Sequence, residues 1–466
     1  MATEYLIVKE RVRQGKAARS DCPRSSHAAW DPAPGRPDPV ALLEDQARSR
    51  IPELVPIRYE RMLFSPFAFY RGAAAIMASD LSTLPNTGLT VQLCGDAHLS
   101  NFGGFASPER DLILDVNDFD ETLPGPWEWD VKRLVASVEI AARERGFDAK
   151  TSRRLVLDTA AEYRRSMAEF AALGNIDLWH LHLDLAGMNA RWGGTVKHKT
   201  MKALDTRLEH AHQRDNHRAL EKLTRRVNDQ LRIAPSPPLV IPIEDLISAD
   251  KKETEEETVH RFVHNYRSQM RGDRQRLLES YRFVHLARKV VGVGSVGTRT
   301  WILLLLGRDE TDALFLQVKE ANASVLEPYL GKSVYANHGR RVVEGQWLMQ
   351  ASSDIFLGWD HVESGIDGRS HDFYVRQLWD WKISLDVETI ESEAMMVYVQ
   401  MCAWTLARAH ARSGDPIAIA AYLGKSNAFD KAIVDFAERY ADQNEKDYKA
   451  FVKAIKAGRL AAQKGV

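Results

Sequence analysis

The chain has 466 residues, more than a single hydrophobic core usually serves, so we expect two or more lobes. Its 44% hydrophobic and 27% charged residues and net charge of −1 give no bulk attraction to nucleic acid, and no apolar run is long enough to span a bilayer. We therefore predict a cytoplasmic protein that has neither a nucleic acid nor a membrane as its partner; the oligomeric state stays open.

The first quarter of the chain predicts an arm followed by buried helices. Residues 14–39 are rich in Arg, Ser, Pro and Ala and lack periodicity, so residues 1–55 are predicted to form an irregular N-terminal extension that contributes little core. Residues 56–81 have the pattern of buried helices, interrupted near Pro66. A short apolar run at residues 91–93 then leads into a polar loop.

The middle of the chain is predicted to be largely helical and its third quarter rich in strands. An apolar run at residues 112–114 predicts a strand, residues 123–126 a turn, and residues 278–290 a helix. Runs at 300–306, 314–318 and 373–378 predict strands, and the helical pattern returns at 393. We assign residues 282–380 to a small β-rich lobe, and residues 56–281 and 381–466 to a helical lobe formed by both chain ends.

Two polar loops have the spacing of a phosphoryl-transfer site. Asp96 and Asn101 are separated as D-x-x-x-x-N, and Asp118 and Asp120 follow the apolar run at 112–114. Phosphoryl transfer needs one carboxylate to orient a hydroxyl, and an amide and a second carboxylate to hold Mg²⁺. We predict Asp96, Asn101 and Asp118 as catalytic residues, with Asn101, Asp118 and Asp120 on the metal. The alternative is that all four residues only form turns.

A glycine loop of the form G-x-G-x-x-G occurs at Gly292, Gly294 and Gly297. A dinucleotide-binding fold needs a strand before such a loop and a helix after it, whereas here a strand is predicted to follow. In kinases the loop covers the nucleotide phosphates between two strands, and a lysine on the third strand reaches the phosphates. Lys319 stands where that lysine is expected, although a glycine-rich hairpin with an exposed lysine is the alternative.

A lysine in this role needs a carboxylate partner from a nearby helix. We predict Glu344 as that partner, with Glu320 and Glu327 as alternatives. Two Gly-Lys-Ser triplets, at residues 331–333 and 424–426, lack the earlier glycine that a P-loop requires.

Five segments of the chain resemble the bacterial family called domain of unknown function 2252. They lie at residues 65–72, 94–102, 117–121, 126–133 and 340–350. More remotely, the motifs resemble the protein-kinase-like fold, in particular its aminoglycoside and choline phosphotransferases. This second resemblance implies that Asp96 is the base, that Asn101 and Asp118 bind metal, and that Lys319 and the three glycines bind the phosphates of ATP.

The order of the motifs differs from that of the kinase-like fold, in which the glycine loop and the lysine come first. Circular permutation restores the order, and permutation is tolerated when the original termini lie close together. We therefore predict an α+β, two-lobed, protein-kinase-like fold that is circularly permuted, with a small β-rich lobe and a large helical lobe.

The function predicted on this basis is Mg²⁺-dependent transfer of phosphate from ATP to a hydroxyl of a small-molecule acceptor. Two alternatives remain open. One is a nucleotide-binding regulator that transfers no phosphate, supported by Cys94 where the fold usually carries histidine. The other is a metal-dependent hydrolase that uses His98 together with the aspartates.

Overall fold

The computed structural model of the chain describes residues 6–194, 216–228, 230–247, 252–378, 381 and 385–463. These residues form a mixed α+β fold with more residues in helices than in strands. The helices are α1 Val8–Asp21, α2 Pro39–Ala47, α3 Val55–Leu63, α4 Pro66–Arg71, α5 Ala74–Leu81, α6 Trp127–Glu144, α7 Ala149–Phe170, α8 Asn175–His180, α9 Leu185–Trp192, α10 Asn216–Leu223, α11 Lys252–Ser268, α12 Gly272–Leu278, α13 Glu327–Leu330, α14 His338–Met349, α15 Ser392–Ser413, α16 Pro416–Leu423 and α17 Ala428–Lys456.

The strands form one large sheet and three antiparallel pairs. They are β1 Thr90–Leu93, β2 Phe102–Ala106, β3 Leu112–Val116, β4 Leu123–Pro126, β5 Thr224–Val227, β6 Gln230–Ile233, β7 Val240–Pro242, β8 Arg282–Lys289, β9 Thr300–Leu306, β10 Ala313–Ala321, β11 Gly358–Val362 and β12 His371–Gln377. The pairs are β1 with β4, β2 with β3, and β5 with β6. The large sheet is antiparallel throughout and has the order β11-β12-β10-β9-β8-β7.

Strand β10 lies inside this sheet, and all nine of its residues are buried. On one face Leu316 and Val318 pack with Phe262 of α11, and on the other Phe315 packs with Leu223 of α10. Because both faces are covered, residues 313–316 form a continuous apolar run instead of alternating with polar residues. The strands predicted at 300–306, 314–318 and 373–378 are confirmed, with small shifts of their ends.

Strand β8 occupies most of the segment predicted to be a helix at residues 278–290, so that prediction is wrong. A bulge between Phe283 and His285 shifts the register of β8 against β9. The bulge interrupts the period-two alternation by which a strand is recognised in sequence. The glycine loop consequently has a strand on each side.

The β-rich lobe predicted at residues 282–380 begins too late, because strand β7, which lies before residue 282, also belongs to the large sheet. The predicted end of this lobe, at residue 380, lies outside the described residues.

The largest apolar core surrounds α15, which packs along α7 and also contacts α6 and α14. Elements from both ends of the chain therefore share one core. The buried helices predicted at residues 56–81 are confirmed as α3, α4 and α5, with a break before Pro66. Among the described residues, no helix combines the length and the apolar character needed to cross a membrane.

The N-terminal segment is not an irregular extension, contrary to the prediction for residues 1–55. Helix α1 packs against α16 so closely that a Cβ on Gly15 would lie 2.0 Å from the backbone oxygen of Ala418. Helix α2 buries Val40 and Leu43, and Trp30 between the two helices is also buried. Arg and Ala are good helix formers, but α1 contacts its neighbour through Gly15 and through the side chains of Arg11 and Arg19, so it shows no apolar periodicity.

The turn predicted at residues 123–126 is strand β4. It pairs with β1 from Leu93 opposite Leu123 to Thr90 opposite Pro126. A two-stranded ribbon consists only of edge strands, where prolines are tolerated because one side of each strand makes no ladder hydrogen bonds. The β1 and β4 pair holds together the start of the first polar loop and the end of the second.

Candidate active site

The loop at residues 94–101 begins directly after β1 and is held by a carboxylate of α6. Asp130 accepts hydrogen bonds from the backbone N–H groups of Cys94 (2.8 Å) and Gly95 (3.0 Å). Nε2 of His410, on α15, lies 3.2 Å from the same carboxylate. All of these groups except Gly95 are buried. The conformation of the loop is therefore set by a polar network that joins α6 and α15.

Gly95 is required by the backbone of this loop. Its φ is +83°, and a Cβ would lie 2.4 Å from the backbone oxygen of Glu121. Replacing Gly95 with alanine is expected to destabilise the protein by roughly 1–3 kcal/mol, from left-handed strain together with the clash. Urea unfolding measures this effect. The matched control is Gly88→Ala: Gly88 also has positive φ, at +69°, but a Cβ added there would have nothing within 4 Å. Equal losses in the two variants would contradict the contact with Glu121.

Asp96 is paired with an arginine and has a pKa close to neutrality. Its Oδ1 accepts a hydrogen bond from Nε of Arg133 at 2.8 Å. Nη2 of the same guanidinium lies 2.7 Å from that oxygen and donates its hydrogen bond to the backbone oxygen of Tyr70. Burial raises the pKa of Asp96 to about 6, although the Arg133 guanidinium opposes the shift. A carboxyl group that titrates near neutral pH is well suited to accept a proton from a hydroxyl.

The two polar loops lie side by side. Nδ2 of Asn101 donates to the backbone oxygen of Asp96 at 2.6 Å, and the backbone N–H of Asn117 donates to the backbone oxygen of Asn101 at 2.8 Å. Nε2 of His98 lies 3.6 Å from Oδ2 of Asp96. Burial, with the positive charges of Arg71 and Arg133, holds the pKa of His98 well below its usual value, so this imidazole is neutral.

Lys319 joins these loops to the large sheet. Its Nζ donates to Oδ2 of Asp120 at 2.8 Å and lies 3.5 Å from Oδ1 of Asp118. Asp120 also accepts hydrogen bonds from the Tyr374 hydroxyl at 2.6 Å and from the Ser295 hydroxyl at 3.2 Å. The structure thus brings the predicted residue Lys319 together with Asp118 and Asp120, which lie about 200 positions earlier in the chain.

The ion pair between the buried Lys319 and the half-buried Asp120 keeps both groups charged. Burial by itself raises the pKa of Asp120, but the Lys319 ammonium outweighs burial and lowers it below the usual range. Burial likewise opposes the charged form of Lys319, and the two aspartates raise its pKa above the usual value.

The glycine loop lies directly against this cluster. Gly292 and Gly297 have φ values of +64° and +92°, which favour glycine, and Ser295 supplies the hydroxyl bonded to Asp120. At Gly294 a Cβ would lie 3.6 Å from the backbone oxygen of Arg71, at the end of α4. The tip of the loop, at Gly294 and Ser295, is therefore placed beside the polar loops by the strands β8 and β9.

Glu344 is not the partner of Lys319, contrary to the prediction. It lies on α14, where its carboxylate accepts a hydrogen bond from Nε of Arg340 at 3.2 Å, one helical turn away. Of the alternatives, Glu320 points to the other face of β10 and is paired with Arg299 at 3.1 Å. The carboxylates that neutralise Lys319 come instead from the second polar loop.

Glu327, the remaining alternative, is also not paired with Lys319. Among the described basic groups, Nδ1 of His338 is the one within 4 Å of its Oε1, at 3.9 Å. Helix α14 instead sends Arg341 toward the second loop, where its guanidinium donates to the backbone oxygens of Asp120 and Thr122 at 2.8 and 2.7 Å.

A cavity of about 160 Å³ is lined by both polar loops and by the glycine loop. Its lining includes Asp96, Asn101, Asp118, Asp120, Gly294 and Ser295. Residues between positions 46 and 74 also line the cavity, and three of them are arginines. All the predicted catalytic residues therefore face one space, together with the tip of the glycine loop.

The donors around Asp118 fit a divalent cation that is shared with a substrate. Oδ1 of Asp118 is buried and accepts no hydrogen bond from the described residues. Within the described part of the chain, no group of three or more His, Cys, Asp or Glu side chains could hold a metal ion. Mg²⁺ usually takes one or two carboxylates and completes its shell with water and substrate phosphates, so Asn101 and Asp118 suit that ion. Because the described residues contain no such group of side chains, they give no support to a hydrolase in which His98 and the aspartates bind the metal.

Several residues of the site were not found by sequence reasoning. Arg133, Tyr374 and Ser295 contact Asp96 or Asp120, yet only Arg133 carried a signal. It lies three residues after Asp130 on α6, so both side chains face the same loop. Tyr374 and Ser295 come from distant strands and loops, and their contacts depend on the assembled fold.

The comparisons with known proteins identify a family and no activity. A family model described as "Uncharacterized protein conserved in bacteria (DUF2252)" matches residues 50–454. No curated protein and no solved structure matched the chain.

Proposed function

The chain belongs to the DUF2252 family, whose description names no reaction, and from its site we propose that it transfers the γ-phosphoryl group of ATP, with Mg²⁺, to a hydroxyl of a small-molecule acceptor. The observation that carries the proposal is the meeting of Lys319 with Asp118 and Asp120 beside a glycine loop. A buried lysine, metal-binding carboxylates and a glycine loop are the parts that phosphoryl transfer requires.

The connectivity of the large sheet supports a circularly permuted kinase-like fold. The glycine loop lies between β8 and β9, Lys319 lies on the next strand, β10, and helix α14 follows, which is the order of parts in kinases. Strands β11 and β12 come next, and after them helix α15 reaches the first polar loop, where the Tyr398 hydroxyl donates to the backbone oxygen of Leu99 at 2.6 Å. This contact between α15 and the first polar loop supports the proposal that the chain is permuted.

In the proposed reaction the acceptor oxygen forms a bond to the γ-phosphorus while the bond from that phosphorus to the bridging oxygen breaks. ADP leaves with the electron pair, and Asp96 takes the hydroxyl proton. Mg²⁺ held by Asn101 and Asp118 would neutralise charge on the phosphate oxygens. Lys319 and the backbone N–H groups of the glycine loop orient and stabilise the phosphates, and Asp120 positions Lys319.

A nucleotide-binding regulator is the second candidate, and the pair between Asp96 and Arg133 favours it. The guanidinium stabilises the ionised carboxylate and occupies one of its oxygens. This candidate binds Mg²⁺ and ATP but forms no ADP.

The experiment that tests the proposal supplies ATP labelled in the γ-phosphate, Mg²⁺ and pools of hydroxyl compounds to the full-length protein. We expect labelled product and ADP in equal amounts from at least one pool. Binding of Mg²⁺ and ATP with no ADP formed from any pool would favour the regulator. Hydrolysis that needs metal but no nucleotide would favour the hydrolase.

The pH dependence of the reaction should follow Asp96. Its pKa of about 6 means that the carboxylate is ionised above that pH and protonated below it. We expect kcat/KM to be flat above about pH 7 and to fall roughly tenfold per unit below about pH 6. A profile measured between about pH 5 and pH 8 that stays flat would contradict the assignment of Asp96 as base.

A further inference from the structure

A second cavity lies on the face of the large sheet that is turned away from the proposed active site. In strand β10 the neighbours Val318 and Lys319 point to opposite faces, because side chains alternate along a strand. Lys319 faces Asp118 and Asp120, whereas Val318 lines the second cavity. The sheet itself therefore separates the two spaces.

The floor of the second cavity is formed by apolar side chains of adjacent strands. Strand pairing places Trp301 of β9 opposite Val318, and Leu286 of β8 opposite Leu303 of β9. Side chains that are paired in this way share one face of the sheet. All four line the cavity, and all but Trp301 are buried. The floor is thus a continuous apolar surface.

The walls add apolar side chains from four other parts of the chain. Val259 comes from α11, Leu246 follows β7, Ile51 precedes α3, and Ile366 belongs to the connection between β11 and β12. Each is half-buried, so part of its apolar surface stays open. The cavity has a volume of about 400 Å³, within the range of about 300–1,000 Å³ that small-molecule sites occupy. Its size and lining suit a small apolar molecule, which gains free energy by leaving water.

Charged side chains at the edge of the second cavity form a closed network. Arg299 and His371 both line the cavity, and each is paired with the carboxylates of Glu320 and Asp367. The hydrogen bond between His371 and Glu320, at 3.0 Å, raises the pKa of the imidazole and favours its charged form. Two cations thus face two carboxylates.

The remaining ion pair at this edge joins Arg288, whose Nη1 donates to Oε1 of Glu53 at 3.0 Å. Among the described residues that line the cavity, every cation therefore has a carboxylate partner. A charged ligand would have to break one of these pairs or be buried without a counter-ion, and both are unfavourable. An uncharged ligand avoids these costs.

We propose that the second cavity binds an uncharged, largely apolar small molecule at a site distinct from that of ATP. The ligand lies on Val318 and Trp301, between the walls that carry Val259 and Ile366. This inference goes beyond the proposed function, because the site lies on the opposite face of the sheet and does not depend on nucleotide binding.

The test uses the full-length protein and two fluorescent probes that share one aromatic skeleton. Phenylnaphthylamine is uncharged, and anilinonaphthalene sulfonate carries a sulfonate on the same skeleton. Their dissociation constants are measured from the change in fluorescence on binding, with and without a saturating non-hydrolysable ATP analogue and Mg²⁺. Titration calorimetry gives the affinity of the analogue itself.

Two variants alter the second cavity in different ways: Val259→Trp fills it, and Ile366→Glu places an unpaired carboxylate in its wall. The matched controls make the same exchanges on the surface, Val334→Trp and Ile176→Glu, at residues that are 88% and 72% exposed. The unfolding midpoint shows which variants are folded. Because Ile366 lies in a connection between strands, its exchange is tolerated more easily if Val259→Trp folds poorly.

We expect phenylnaphthylamine to bind the wild type and both controls equally, whether or not the analogue is present. It should bind roughly tenfold or more tightly than the sulfonate, because the sulfonate finds no free cation in the cavity. Each cavity variant should weaken its binding roughly tenfold or more.

Four results would overturn the inference. Tighter binding of the sulfonate would contradict an uncharged ligand, and displacement of phenylnaphthylamine by the analogue would place the probe in the nucleotide site. Unchanged binding in both cavity variants would exclude the cavity as the site. A dimer that the probe dissociates, measured by light scattering, would assign the cavity to a second copy of the chain.

The two proposals fail separately. If the analogue binds but phenylnaphthylamine does not, this inference alone fails. If phenylnaphthylamine binds as expected but the analogue does not, the proposed function fails and the second cavity remains a ligand site.

Discussion

Replacing Asp96 with asparagine is expected to lower kcat for phosphoryl transfer by about 10²–10⁴-fold and to leave the affinity for ATP with Mg²⁺ largely unchanged. The variant removes the group that accepts the hydroxyl proton but keeps an oxygen that can accept the hydrogen bond from Arg133. The fold and the nucleotide side of the cavity should therefore survive. Steady-state kinetics and calorimetric titration with the ATP analogue separate the two effects.

The matched control for this variant is Asp111→Asn, which removes an exposed carboxylate from the turn between β2 and β3. It should behave as the wild type in both measurements. Wild-type turnover in Asp96→Asn would refute the role of Asp96 as base. Loss of nucleotide binding in that variant would instead show that Asp96 belongs to the nucleotide side of the cavity.

Replacing Lys319 with methionine is expected to weaken binding of ATP with Mg²⁺ by roughly 10–150-fold, the value of a charge-assisted hydrogen bond to phosphate. Methionine fills a similar volume but has no charge. The half-buried carboxylates of Asp118 and Asp120 then lose their cation, while Tyr374 and Ser295 still donate to Asp120. Calorimetric titration gives the affinity, and the unfolding midpoint without ligand shows whether the variant is folded.

Lys332→Met is the matched control for Lys319. Lys332 is exposed and belongs to one of the two Gly-Lys-Ser triplets that resemble a P-loop only in part. The account predicts no effect of Lys332→Met on nucleotide binding. If Lys332→Met weakened binding and Lys319→Met did not, the nucleotide site would lie elsewhere.

Sequence reasoning reached those parts of the site that are encoded locally. The spacing of Asp96, Asn101 and Asp118 lies within two short loops, and Lys319 follows the glycine loop at a fixed offset along adjacent strands. Circular permutation leaves these spacings unchanged, because each spacing lies within one continuous segment of the chain. The same reasoning placed the strands at 300–306 and 314–318, where apolar residues predominate and are buried.

The parts that failed depend on packing between distant segments. Glu344 has a suitable position in the chain, but Arg340 binds it within its own helix, and Lys319 is paired instead from the N-terminal half. Arginines such as Arg58 resemble solvated surface charges in a sequence, and only the structure shows that they are buried without a counter-ion among the described residues. The bulge in β8 and the contact of α1 through a glycine and polar side chains hid two elements from any test of periodicity.

The central claim is that Lys319, Asp118 and Asp120 form one site for ATP and Mg²⁺. The most direct test is thermal unfolding of the wild type and of Asp118→Asn, each with ATP alone and with ATP plus Mg²⁺. A ligand at a hundredfold excess over its dissociation constant stabilises the native state by about 2.7 kcal/mol. We predict a Mg²⁺-dependent rise of the midpoint in the wild type that is lost in Asp118→Asn. No rise in the wild type, or an equal rise in the variant, would contradict the claim.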